Sequence, residues 1–226
     1  MKHAHVVVLV AGIGWIVFYV GSFTALGSSF PTVESSGQEI IEWFTDHQVN
    51  ARIYAWTAAF AALTLTVFGA MITALLPRPH RYVFFGGILM WAITGMVQAW
   101  FWAGLALHPE NLEPGTARTL FDIPQYWGPI INGSTMTMAV AMIPLAFGTT
   151  PVIPRWLGWL SILLFVEQGV ETITVFGETG FIAPGGTMNL YVGGLVGFAW
   201  VIGTLVWGYQ AWAAQDAATS DSPATA

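Results

Sequence analysis

The sequence contains no cysteine, and this removes every function that depends on a thiol or a thiolate. Disulfide bonds, nucleophilic cysteine catalysis and cysteine-ligated zinc or iron–sulfur centres are therefore excluded. The same absence leaves the redox state of the compartment undetermined.

Charged residues are scarce as well, because they account for 8% of the 226 residues whereas hydrophobic residues account for 55%. A soluble domain carries roughly 25% charged residues, so too little polar surface is available here to cover a core in water. With only six lysine and arginine residues, the chain also lacks the basic surface that nucleic-acid binding requires. The composition predicts a protein that faces the lipid bilayer.

Long apolar runs are what the sequence does contain, and six of them approach the ~20 residues needed to cross a bilayer. The predicted fold is all-α, a polytopic membrane bundle of about six transmembrane helices within a single transmembrane domain over residues 1–214. The predicted spans cover residues 5–27, 51–76, 83–106, 126–149, 156–177 and 188–212. Residues 215–226 are small and polar, and they predict a disordered cytoplasmic tail.

The orientation of the chain is predicted from its first apolar run and its few positive charges. The run from Val6 to Leu26 exceeds the 7–15 residues of a signal-peptide apolar region, so we interpret it as a retained signal-anchor helix. Cytoplasmic termini in a cell (inner) membrane place four basic residues inside and two outside, in agreement with the positive-inside rule. The inner four are Lys2, Arg78, Arg81 and Arg155, and the outer two are Arg52 and Arg118.

Residues 34–49 have the pattern of a short external amphipathic helix. Ile40, Trp43 and Phe44 supply an apolar side, whereas Glu39 and Glu42 supply a charged side. Two interpretations remain open at this point. The helix is either a cover that ties the first two spans together or a partner-binding helix at the membrane surface.

Two acidic residues, Glu167 and Glu171, interrupt the fifth apolar run one helical turn apart. An ionisable residue in mid-span costs about 2.5–3.5 kcal/mol on insertion scales, and such residues usually mark a binding site or a proton path. The same helical face continues through Thr174 to Glu178. The pattern therefore predicts a polar stripe that rises toward the outer surface.

Polar residues on other spans are predicted to reach a similar depth and to form an outward-facing pocket with the acid pair. The candidate ligand-binding or proton site consists of Glu167, Gln168, Glu171, Gln98, Asn132, Thr135 and Arg52. Arg52 is the only basic residue placed to reach the acids, and Asn189 on the last span is expected nearby. The predicted walls are Trp91, Trp100, Met136 and Phe165. In the alternative interpretation, both acids are neutral and join helices through hydrogen bonds to amide or tryptophan N–H groups.

The histidine and glycine patterns complete the list of candidate sites. No histidine shares a helical face with a second histidine or with the acid pair, so no metal centre and no cofactor are predicted. The pairs Gly193-x-x-x-Gly197 and Ala199-x-x-x-Gly203 place small residues on the last span, which favours close packing within the chain. Contact with a second copy or with a membrane-protein partner through these glycines is the alternative.

Three short stretches of the chain match a known pattern. They are Phe44-Thr-Asp-His-Gln-Val-Asn-Ala-Arg52, Pro154-Arg-Trp-Leu-Gly-Trp159, and Phe176-Gly-Glu-Thr-Gly180 leading to Pro184-Gly-Gly. In these stretches the chain resembles a broad group of actinobacterial six-transmembrane-helix proteins of unknown function. The resemblance covers nearly the whole chain and implies a six-helix integral membrane fold in an actinobacterial-type cell membrane, but it implies no activity.

These features favour a membrane protein without enzymatic activity. We expect it to bind or transport a small amphiphilic molecule or lipid, or to serve as an accessory subunit of a membrane complex. The alternative is an intramembrane enzyme that uses a buried glutamate as general acid or base on an apolar, isoprenoid-like substrate.

Overall fold

The structure is a computed structural model that describes residues 3–27 and 29–220 of the chain. That part of the chain forms eight α-helices and no strand, so the predicted all-α class is confirmed. The helices are α1 (Ala4–Leu26), α2 (Gly37–Asp46), α3 (Gln48–Thr73), α4 (His80–Leu105), α5 (Pro114–Gln125), α6 (Trp127–Phe147), α7 (Arg155–Glu171) and α8 (Gly194–Ser220).

Six helical stretches of the described chain are long and apolar enough to cross a membrane, which confirms the predicted multi-pass bundle. The fourth stretch joins α5 to α6, the fifth adds a 3₁₀ turn to α7, and the sixth adds a π-helical turn before α8. Their bounds are Ala4–Leu26, Gln48–Thr73, His80–Leu105, Pro114–Phe147, Arg155–Phe176 and Met188–Ala218. Apolar side chains such as Val10, Trp56 and Leu195 are exposed on the outer faces, where they are available to contact lipid tails.

The spans form a closed ring. α1 packs against α3, α3 against α4, α4 against α6, and α6 against α7, while α8 closes the ring against both α7 and α1. Large side chains, among them Trp15, Phe68 and Trp200, are buried in the core. The indole N–H of Trp200 donates to the Ser161 hydroxyl at 2.9 Å and so joins α8 to α7.

The connections alternate between the two ends of the bundle. Residues 74–79 and 148–154 lie at the same end as the start of α1 and the end of α8, and we call this the terminal end. At this end the Nδ1 atom of His5 lies 2.6 Å from Oδ2 of Asp216. The connections over residues 106–113 and 177–187, and the segment around α2, lie at the opposite end, which we call the loop end.

Two short helices cover the loop end by packing against each other. α2 begins with a capping box, in which the Ser36 hydroxyl accepts from the Glu39 backbone N–H at 3.2 Å and the Glu39 carboxylate accepts from the Ser36 backbone N–H at 2.6 Å. The apolar side of α2, including Ile40 and Phe44, is buried against neighbouring helices, α5 among them. This burial within the chain is what the cover interpretation of residues 34–49 requires.

Helix α5 was not predicted from the sequence, because its polar residues and two prolines, Pro114 and Pro124, are typical of a loop. Pro114 lies in the first helical turn, where a proline is tolerated since its missing N–H would be unpaired there in any case. α5 buries Ala117 and Phe121 against the rest of the chain. Its stability therefore depends on a partner surface that no local pattern reveals.

The tail prediction requires a correction. Disorder was predicted from residue 215 onward, but α8 continues as a helix to Ser220. Four of residues 213–218 are alanine, which has the highest helix propensity, and this explains the extension. Residues 221–226 lie outside the described residues.

Candidate functional site

The candidate site lies in the loop-end half of the ring, where α6, α7 and the segment before α8 meet. Glu171 is the last residue of α7 and is followed by the 3₁₀ turn Thr172–Phe176. Facing it is the π-helical turn Met188–Gly193, a conformation that is rare and frequently found at functional sites. This turn positions Asn189 against the Glu171 carboxylate.

A continuous chain of hydrogen bonds surrounds Glu171, whose side chain is buried with the residue only 2% exposed. The Thr135 hydroxyl on α6 donates to Oε1 of Gln168 at 2.6 Å. The Nε2 amide of Gln168 donates to Glu171 Oε2 at 2.8 Å and to Glu167 Oε2 at 2.7 Å. Gln168 therefore joins the two acids through its amide N–H groups.

Asn189 completes this chain from the other side. Its Nδ2 amide donates to Glu171 Oε1 and, at 3.3 Å, to the Thr174 hydroxyl. Its Oδ1 accepts from the Gly185 backbone N–H at 2.9 Å. Each carboxylate oxygen of Glu171 thus accepts a hydrogen bond from a neutral amide.

Two glycines allow this close approach. A Cβ atom on Gly193 would lie 1.9 Å from Glu171 Oε2, and one on Gly128 would lie 2.5 Å from Asn189 Cγ. Because real Cβ contacts are almost never shorter than 3.0 Å, any other residue at either position would displace the hydrogen-bonded side chain. Gly193 is therefore used for contact with α7 inside the chain. The same holds for Gly203, where an added Cβ atom would lie 3.0 Å from the Trp156 ring.

Polar atoms at the site remain without partners. Asn132 is 1% exposed, and its Oδ1 atom has no hydrogen-bond partner among the described residues. The Oε1 atom of the half-buried Glu167 also has no hydrogen-bond partner among these residues. Buried polar groups are nearly always hydrogen-bonded, so this part of the site has unused hydrogen-bonding capacity.

A small cavity of about 40 Å³ lies beside these groups. It has room for about three water-sized groups, since one water needs roughly 10–15 Å³ on this measure. Asn132, Thr135, Gln168, Glu171 and Asn189 form its polar side. The aromatic side consists of Trp15, Tyr19, Trp91, Trp127 and Phe198.

A much larger cleft of about 590 Å³ lies between α1 and the start of α8. Its walls are mainly apolar and include Val20, Phe23, Leu190 and Tyr191. Five residues line both the cleft and the small cavity: Tyr19, Trp127, Asn189, Gly194 and Phe198. The cleft and the small cavity beside Glu171 are therefore adjacent, and Asn189 lines both.

The structure brings five of the seven predicted site residues together: Glu167, Gln168, Glu171, Asn132 and Thr135. Gln98 lies elsewhere, because it accepts a hydrogen bond from the Tyr54 hydroxyl at 2.6 Å and lines a separate cavity of about 50 Å³. Trp15, Tyr19, Trp91, Trp127 and Ile131 line both small cavities. An aromatic layer thus separates Gln98 from the acids.

Arg52 does not reach the acid pair, contrary to the prediction. Its guanidinium donates to the backbone carbonyl of Ala106 at 3.1 Å and to that of Leu107 at 3.5 Å. These carbonyls lie just after the last turn of α4, where the negative end of the helix dipole attracts a cation. Arg52 was predicted from its depth along the second span alone. Its side chain is directed toward the end of α4 and not toward the acids.

Two further expectations are also wrong, each for its own reason. Trp100 was predicted as a pocket wall but is 64% exposed on the outside of the bundle, whereas Trp91 does line the cavity. The polar stripe holds from Glu167 to Thr174 and then ends, because the α-helix stops at Glu171. Glu178 lies instead in a separate polar crevice at the loop end with Arg118 and Asp122.

The acids have no basic partner within the part of the chain that the structure describes. Among the described residues, no lysine, arginine or histidine lines the small cavity or forms an ion pair with Glu167 or Glu171. The titratable groups that face Glu171 are Glu167 on its own helix and Tyr19 on α1. Tyr19 was missed from the sequence because an aromatic residue in an apolar run carries no distinguishing signal.

The chain matches no family model, no curated protein and no solved structure. The resemblance to actinobacterial six-helix proteins therefore stays a prediction. Functional conclusions must come from the geometry of the site.

Proposed function

We propose that this protein binds a small amphiphilic molecule taken from the membrane. The apolar part of the molecule occupies the cleft between α1 and α8, and its polar head contacts Glu171, Asn189 and Asn132. In the predicted orientation, with cytoplasmic termini in the cell membrane, the site faces the outer half of the bilayer. The same route serves transport if the head group later moves through the bundle.

One observation carries this proposal: Asn189 lines the large apolar cleft and also donates to the buried Glu171. A pocket that binds small molecules is typically apolar with a few convergent polar groups. The cleft supplies about 590 Å³ of such a space, and the unpartnered Oδ1 atom of Asn132 supplies a hydrogen-bond acceptor in the adjacent small cavity.

Binding is better supported than the enzymatic alternative. A glutamate that acts as general acid must come within hydrogen-bond reach of the reacting atom. The cavity beside Glu171 measures about 40 Å³, which is too small for an isoprenoid segment. No observation therefore favours a reaction at this carboxylate.

Photo-crosslinking of a neutral single-chain amphiphile tests the proposal. The purified protein in lipid nanodiscs is incubated with a dodecanol derivative that carries a diazirine group, irradiated and mapped by peptide mass spectrometry. We expect saturable labelling within residues 19–27 and 189–198, the two ranges that contain most of the residues lining the cleft.

A pair of matched variants makes the test specific. Gly194→Phe places a ring in the cleft without a backbone clash, because the nearest atom to its Cβ is the Asn189 carbonyl oxygen at 3.9 Å. Gly133→Phe introduces the same ring at an exposed position of α6 with open space around it. We expect labelling to be lost only in Gly194→Phe. Equal saturable labelling of both variants, or labelling outside the cleft only, would refute the proposed binding site.

A further inference from the structure

We propose that the head group of the bound molecule is a primary ammonium, which is held as a cation by Glu171 and Asn132. This inference rests on the proposed amphiphile-binding function and specifies its ligand class. Three properties of the site support it: its charge, its aromatic surroundings, and the combination of hydrogen-bond acceptors with a small cavity volume.

The charge of the site calls for a cation. Glu171 is 2% exposed, and its hydrogen-bond donors are the neutral amides of Gln168 and Asn189. A buried charge is stable only when it is paired or neutralised, and within the described residues no basic side chain reaches this carboxylate. A cationic head group supplies the missing charge.

The aromatic residues around the cavity favour the same ligand. Trp15 lies at the centre of this wall, with its ring 5.2 Å from that of Trp91 in an edge arrangement and 5.2 Å from that of Tyr19 in a stacked arrangement. Trp127 lines the cavity as well. Tryptophan and tyrosine faces attract ammonium groups, and the attraction grows when the cation is desolvated.

The hydrogen-bonding groups and the space distinguish a primary ammonium from other cations. An ammonium has three N–H donors and no acceptor, and it meets the Glu171 carboxylate and the unpartnered Oδ1 of Asn132. A cavity of about 40 Å³ accepts an ammonium and its first methylene group. A trimethylammonium head is bulkier, has no N–H group, and would leave the buried Asn132 unpaired at a cost.

The test compares ligands that share one alkyl chain. Affinities of dodecylamine, its N-methyl, N,N-dimethyl and N,N,N-trimethyl derivatives, and 1-dodecanol are measured at pH 7.5 by native mass spectrometry and calorimetry of the intact protein in a neutral detergent. We expect dodecylamine to bind at least about tenfold more tightly than both 1-dodecanol and the trimethyl compound, because a charge-assisted hydrogen bond is about twice as strong as a neutral one. Affinity should fall with each added methyl group.

A carboxylate variant assigns the effect to Glu171. Glu171→Gln keeps the shape but removes the negative charge and one of the two acceptor oxygens, so the preference for dodecylamine over 1-dodecanol should disappear. The matched control is Glu178→Gln, which removes an exposed acid from the separate loop-end crevice and should keep the preference. The methylation series uses the unaltered protein, so the inference is testable even if Glu171→Gln does not fold.

The outcomes separate the two proposals. Equal affinity for dodecylamine and 1-dodecanol would overturn the cationic head group but leave amphiphile binding intact. Equal affinity across the methylation series would overturn the primary ammonium. Absence of binding by all five compounds would overturn the proposed function itself.

Discussion

Replacement of Gly193 by alanine tests whether the acid site depends on close approach of the last span. The new Cβ atom would lie 1.9 Å from Glu171 Oε2, and the contact cannot be shorter than about 3.0 Å. The carboxylate must therefore move by roughly 1 Å, which stretches the 2.8 Å bond from Gln168 beyond hydrogen-bond range. With about 1–3 kcal/mol for a buried polar group left unsatisfied, we expect a loss of about 1–3 kcal/mol in unfolding free energy.

The matched control is Gly197→Ala, four residues further along the same helix, where a Cβ atom meets nothing within 4 Å. Its cost should stay near zero in the same detergent-titration assay of unfolding, because alanine is also the better helix former. A double-mutant cycle with Glu171→Ala isolates the contact. The reasoning is refuted if Gly193→Ala costs as much in the absence of the Glu171 carboxylate as in its presence.

Two further predictions concern topology and the cap of α2. Since the chain has no cysteine, an impermeant thiol reagent should label Thr179→Cys but not Thr150→Cys in intact cells; the opposite result would invert the predicted orientation. Hydrogen bonds from Ser36, chiefly its backbone N–H, lower the pKa of Glu39. A lowered pKa stabilises the cap above the ordinary glutamate value near 4.3, and this contribution is lost as pH falls through the folded value. Amide protection at residues 38–40, corrected for intrinsic exchange, should therefore drop below about pH 4 in the wild type, whereas Glu39→Gln should show no such drop.

The membrane fold could be predicted from the sequence because length and apolarity alone determine it. The predicted start of the third run, at residue 83, lies three residues from the start of α4 at His80, and the predicted start of the second lies three from α3 at Gln48. Helix ends shift in this way because polar residues at the bilayer surface still belong to the helix. The short helix α5 was not predicted because its apolar residues gain partners only when α2 and α4 pack against them.

The candidate site could be predicted only where neighbours in sequence are neighbours in space. α6 and α7 are consecutive antiparallel spans joined by a short connection, so equal depth was enough to bring Thr135 next to Gln168. Gln98 and Arg52 have suitable depth but point in other directions around the ring. From a single sequence, the position of a residue along a span is easier to predict than the direction in which its side chain points around the ring of helices.

The bonding pattern also weighs against an acid pair that only joins helices. A purely structural role requires the buried polar groups around Glu171 to satisfy one another, since each unpaired group lowers stability. Thr135, Gln168 and Asn189 meet this requirement. Asn132 does not, although it is buried in the same cavity wall. In the proposed function, the ligand contacts both the Glu171 carboxylate and the unpaired Oδ1 atom of Asn132, and this contact would supply the missing hydrogen bond.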